Sequence, residues 1–132
     1  MVVLKKLRQF VLSLQDKKGG IATSLEEKSD PSNGWLMKHL LALEMEDATR
    51  RFQRYLLRCQ NADGGWGANG ENASMVSATA NALRGLCDVG VSAGDSVVEK
   101  AVKFLFASQR KNGGFSETVD VGVPWMKPGV EW

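Results

Sequence analysis

Three acidic side chains recur in step: Glu26, Glu71 and Asp120 each fall six residues after the second glycine of a Gly-Gly pair. A carboxylic acid held dry and protonated can donate a proton, so an acid that repeats at one register is the first candidate for chemistry. Asp120 is the first of the three to test and Glu71 the second. The structural alternative is that acids favour the positive end of a following helix, which would account for all three. His39 is the single histidine, and no Cys or Asp stands beside it at ligand spacing, so a partly buried or surface imidazole is the expectation. No metal and no cofactor are expected. Cys59 and Cys87 read as reduced, buried thiols at the ends of separate helices, with a disulfide between them as the alternative. The Gly pairs follow helical patterns with no strand before them, so they are not phosphate loops.

The elements that position these groups repeat as well. Phe10-Val11, Gln15 and Gly19-Gly20-Ile21 are echoed by Tyr55-Leu56, Gln60 and Gly64-Gly65-Trp66. Phe104-Leu105, Gln109 and Gly113-Gly114-Phe115 form a third copy, and Lys6, Arg51 and Lys100 each lie nine residues before a Gln. The spacing suits helical-hairpin repeats. Apolar residues at Leu4, Leu7, Val11 and Leu14, at Phe52, Tyr55, Leu56 and Cys59, and at Val98, Ala101, Val102 and Leu105 mark three amphipathic outer helices. Each is expected to stop at its Gly pair. Two inner helices are expected between them, over about 34–44 and 74–88. The second is rich in small residues and is expected to be buried on most sides. A break is expected over 43–47, and the third outer helix is expected to open with a Ser92–Asp95 capping box. A sixth helix after Thr118 is opposed by Pro124 and Pro128, and no stretch alternates well enough to be a strand.

In each corner the Gln is expected to tie two helix ends together, reaching carbonyls of its own helix or amides of the next. The glycines allow a left-handed turn, and Trp66 or Phe115 folds back over the Gln and excludes water. Loss of one such Gln should cost about 1 kcal/mol.

The stretch from Lys100 to Phe115 (basic-Ala-x-x-Phe-Leu-x-x-x-Gln-x-x-x-Gly-x-aromatic) resembles the glutamine–tryptophan repeat of squalene and oxidosqualene cyclases. Gln60 to Gly67 is the nearest match to the related repeat of protein prenyltransferase β subunits. Ala78 to Leu83 is similar to an inner-helix stretch of the cyclases. The resemblance implies an all-α fold, an α/α toroid of helical hairpins in which inner helices line a cavity, here a partial toroid of about two and a half hairpins. It implies isoprenoid chemistry of the cyclase kind (isomerase or lyase) or of the prenyltransferase kind. Neither set of catalytic parts is present: there is no Asp-x-Asp-Asp run, Thr118-Val119-Asp120-Val121 keeping one Asp of it, and Cys87-Asp88 has the wrong order for a prenyltransferase zinc site. Trp35, His39 and Trp125 are the candidate cavity residues. Trp125 and Trp132, in the Pro/Gly-rich tail, either dock on a neighbouring subunit or close the last repeat.

Length favours a single domain over 1–132, with repeats at 3–46, 47–91 and 92–132. Net charge is +2, with 17 basic and 15 acidic residues interspersed, so no nucleic-acid or anionic-lipid footprint is visible. Lys5, Lys6 and Arg8 interrupt the N-terminal apolar pattern, which argues against a signal or a transmembrane segment and for the cytoplasm. The leading expectation is a homo-oligomer, a dimer, that encloses an apolar cavity for an isoprenoid-like ligand without catalysis by this chain alone. A protein-interaction module and a fragment of a larger cyclase are the alternatives.

Overall fold

The structure is a computed structural model that describes residues 2–117 and Pro128. Five α-helices account for about half of it, in the order outer, inner, outer, inner, outer: α1 (Val2–Ser13), α2 (Met37–Ala42), α3 (Glu46–Cys59), α4 (Val76–Asp88) and α5 (Ser96–Ser108). This is the all-α, α/α-toroid arrangement expected from the repeats, cut to part of an arc. The sixth-helix region, Asp120, Trp125 and Trp132 lie outside the described residues.

Each outer helix ends ahead of its Gly pair, because the Gln residues close the helices. Gln60 and Gln109 are C-caps with extended backbone. The first glycine of each pair instead takes the left-handed conformation inside the corner turn, at φ +92, +91 and +89° for Gly19, Gly64 and Gly113. After the turn the chain doubles back, pairing Gln15 with Ile21 and Gln109 with Phe115 as single bridges. After the middle corner Trp66 pairs instead with Met75, in a small antiparallel ribbon of β1 (Trp66–Gly67) on β2 (Ser74–Met75). Two-residue strands are too short for alternation to reveal, which is why the sequence shows none.

The first inner element is a 3-10 helix over Pro31–Leu36 that continues into α2. Asp30 caps it by accepting from Ser32 N at 2.8 Å, and Pro31 sits at its first position, where a missing N–H costs nothing. The break expected over 43–47 is present. Glu44 is left-handed there, at φ 55°, while Met45 N donates to Leu40 O and Glu44 N to Leu41 O. That is a Schellman ending with Glu in the place usually held by Gly, and Gly90 makes the same ending for α4. At α5 the cap is Asp95 itself, accepting from Val97 N at 3.0 Å; Ser92 accepts instead from Gly94 N in the preceding turn.

The core is held between the layers by Phe52, Leu56, Trp66, Met37, Leu40 and Leu86, all at most 1% exposed. The inner elements touch backbone to backbone. A Cβ on Gly34 would lie 2.1 Å from Asn81 O, and one on Gly85 would lie 2.6 Å from Gly34 O. Small residues on α4 therefore serve close approach. That helix is covered on most sides and open along one stripe, Ala80, Arg84, Cys87 and Asp88, so Cys87 is not the buried thiol expected.

Candidate functional site

The repeated Gln is the point where three pieces of backbone meet. Gln15 Nε2 donates to Gly19 O and to Ala48 O, both at 3.0 Å, and Gln60 Nε2 donates to Gly64 O at 3.0 Å and Val97 O at 2.9 Å. The partners are carbonyls of the turn and of the next helix's first turn, rather than that helix's amides. A helical carbonyl has a second lone pair, so it accepts the Gln without losing its own i+4 bond. Arg51 completes the first corner, donating to Gln15 Oε1 at 3.2 Å and to Asp16 O at 2.9 Å. The next helix lies so close that a Cβ on Gly19 or Gly64 would come within 2.3 Å of Arg51 O or 2.2 Å of Lys100 O. Trp66 does fold back, onto the end of its own helix: its indole N–H donates to Leu56 O at 2.7 Å, and its backbone N–H donates to Thr79 Oγ1 at 2.9 Å.

Sequence reasoning missed Glu117. It is 2% exposed and holds the start of α4, accepting from Val76 N at 2.7 Å and Ser77 N at 2.8 Å. Ser74, where this helix was expected to begin, lies in β2 with its hydroxyl donating to Asp63 Oδ1. A signal was available in principle, since Met75 cannot cap the helix it precedes.

Between the first two corners lies an open groove of about 760 Å³, lined among others by Asp16, Lys18, Tyr55, Arg58, Cys59 and Glu71. Tyr55 is 4% exposed, and its hydroxyl is buried beside Ser29 and Cys59 without a well-formed hydrogen bond. Burial pushes the Tyr55 phenol well above its ordinary range and raises the Cys59 thiol, so both are protonated at neutral pH. Neither is then a ready base or nucleophile. Glu71 reaches the groove as an exposed carboxylate on a 3-10 turn. Water around it is the opposite of the dry setting that acid catalysis on an alkene needs.

Trp35 and His39 do not line that groove. They stand edge to face on the first inner element, with ring centroids 5.7 Å apart, on an exposed stripe that also carries Lys38 and Ala42. The structure thus pairs two of the predicted cavity residues and keeps Glu71 in a separate groove. Among the described residues no group of three or more His, Cys, Asp and Glu side chains is placed to hold a metal. No helix there is long and apolar enough to cross a membrane.

With the hairpins, corners and inner stripes in place, the family can be assigned. The sequence pattern of the squalene-hopene cyclase N-terminal domain matches residues 4–120. The chain belongs to this domain family. The fold agrees with a solved type II terpene cyclase, MstE from Scytonema in its apo form, at a TM-score of 0.69 and 17% sequence identity. The match covers 89% of this cyclase-domain chain and 37% of MstE, so the hairpins described here span little more than a third of that protein.

Proposed function

We propose that this cyclase-family domain forms one wall of an α-toroid cavity for an isoprenoid-like chain, and that copies associate to extend the arc. The observation that carries this reading is the pair of inner elements in backbone contact at Gly34 and Gly85, each presenting one open stripe. Trp35, at the head of the first stripe, supplies an aromatic ring for alkene contacts, with the His39 ring perpendicular to it. Trp125 is proposed as a third cavity residue.

Catalysis by this chain alone is not part of the proposal. Asp120 is the acid proposed for test, with Glu71 second. The share of MstE that is matched supports a second reading, in which these hairpins are one part of a larger cyclase-type assembly whose acid lies in another part.

The test is native mass spectrometry of the full chain with squalene and with geranylgeranyl diphosphate. A bound polyene is expected, with a loss of occupancy of about tenfold in Trp35→Ala, equivalent to removal of about 1.4 kcal/mol of contact. If neither molecule binds, the cavity reading is wrong. Unchanged turnover in an Asp120→Asn variant of any assembly that converts the polyene would remove Asp120 from the mechanism.

A further inference from the structure

The outer layer carries a concentration of charge that its corners do not need. Lys17 and Lys18, in the first corner turn, and Arg51, Arg54 and Arg58, on α3, surround a notch of about 310 Å³. Asp47 is its one acidic lining residue, and it stands 3.9 Å from Arg50. Among the described residues none of the five cations lies within ion-pair distance of a carboxylate. Asp16, in the same turn, directs its side-chain oxygens to Lys18 N, Gly20 N and Ser29 Oγ. The signs are interspersed along the sequence, so the patch forms only when α3 packs against the turn.

Two of the five are aimed by the corner itself. Arg51 donates to Asp16 O at 2.9 Å and to Gln15 Oε1 at 3.2 Å, and Arg58 donates to Lys18 O. These acceptors orient the guanidinium groups without neutralising them. Lys17, Lys18 and Arg54 are exposed around them. Arg51, Arg54 and Arg58 follow one another at three and four residues, a spacing at which like charges on a helix repel and lower its stability. The second corner is the internal comparison. In the same register it has Ala62, Asp63, Lys100, Lys103 and Ala107, two cations and an acid. Its Gln60 still closes onto Gly64 O and Val97 O. Corner closure therefore leaves the surplus of positive charge at the first corner unexplained.

We propose that this notch binds a phosphate-bearing anion between the first corner turn and α3. Arg54 and Arg58 present planar forks that match pairs of phosphate oxygens, and Lys17 and Lys18 add point charges at the rim. Several cations with no carboxylate among them suit a multiply charged group better than a single carboxylate. The patch is too short to track a nucleic-acid backbone, because the matching turn positions of the second corner are Ala62 and Asp63. No residue of the inner elements lines the notch, so it is separate from the cavity wall and does not depend on that reading. A soluble phosphate ester and a phospholipid headgroup share the chemistry it would recognise.

The test is titration calorimetry of the full chain with sodium pyrophosphate, beside co-sedimentation with phosphatidylcholine vesicles made with and without phosphatidic acid. The site variant is Lys17→Ser combined with Arg54→Ser, both exposed and neither hydrogen-bonded to the corner through its side chain. The control is Lys103→Ser combined with Lys111→Ser, which removes the same charge from exposed positions elsewhere. Far-UV circular dichroism verifies that both retain their helices. Pyrophosphate is expected to bind the wild type and the control alike, and the site variant about tenfold more weakly. Binding confined to the phosphatidic acid vesicles, with the same loss in the site variant, would support the site and identify its source as a lipid headgroup. A wild type that binds neither probe overturns the proposal. Equal weakening in the site variant and the control also overturns it, since net charge alone would then account for the binding.

Discussion

Glu117 caps the start of α4, with both carboxylate oxygens on backbone amides that the helix cannot satisfy itself. Bonds of this charge-assisted kind are worth more than neutral ones, and their donors are costly to leave bare inside the fold. Glu117→Ala should therefore lower unfolding stability by about 2 kcal/mol. The check is a shifted urea midpoint at unchanged slope. A midpoint equal to the wild type's would mean that water replaces the carboxylate. Nothing near Val76 in the sequence announces this partner, because it arrives from 41 residues away. The three Gln residues were legible for the opposite reason: their type, spacing and neighbours recur, and recurrence exposes a role that a single occurrence hides. Even so, their acceptors were misjudged. Local pattern indicates that a side chain ties elements together, while only the packed geometry chooses between a carbonyl and an amide.

At the scale of elements, α2 and α4 end in the same way with different residues. Gly90 takes the left-handed position after α4 without strain, whereas Glu44 takes it after α2 with a side chain that crowds its own backbone. The Glu44 carboxylate stands 4.0 Å from Arg8 on the surface, a pair too exposed to offset that strain. Glu44→Gly should raise stability by about 1 kcal/mol and the melting temperature by several degrees. A lower melting temperature would show that the Arg8 contact is the larger effect. The outer helices were readable because their apolar faces repeat at helical spacing over three turns or more. The first inner element was not, since six residues of 3-10 helix followed by six of α-helix have no common period.

Taken as a whole, the molecule is an arc in which each hairpin is completed by the one after it. Stability should then depend on position even where the residues are equivalent. Gln60→Ala removes two hydrogen bonds from a corner enclosed by α5 and should cost about 1–2 kcal/mol. Gln109→Ala removes one from an exposed corner and should cost less than about 0.5 kcal/mol in the isolated chain. Parallel denaturant titrations of the two variants check this, and equal losses would mean that the joint to the next helix contributes nothing. The curved, two-layered wall was legible from the repeats and from the resemblance they carry. The placement of Trp35 and His39 away from Glu71 was not, because it depends on how the inner elements turn against each other.

The reach of Glu117 back to α4 also has a consequence for synthesis. The second inner helix leaves the ribosome with its leading amides bare, and their partner follows 41 residues later. At about 5–20 residues per second, that interval is roughly 2–8 s. During it the half-made wall offers a frayed helix to chaperones, and a nascent chain stalled before codon 117 should be held in that state.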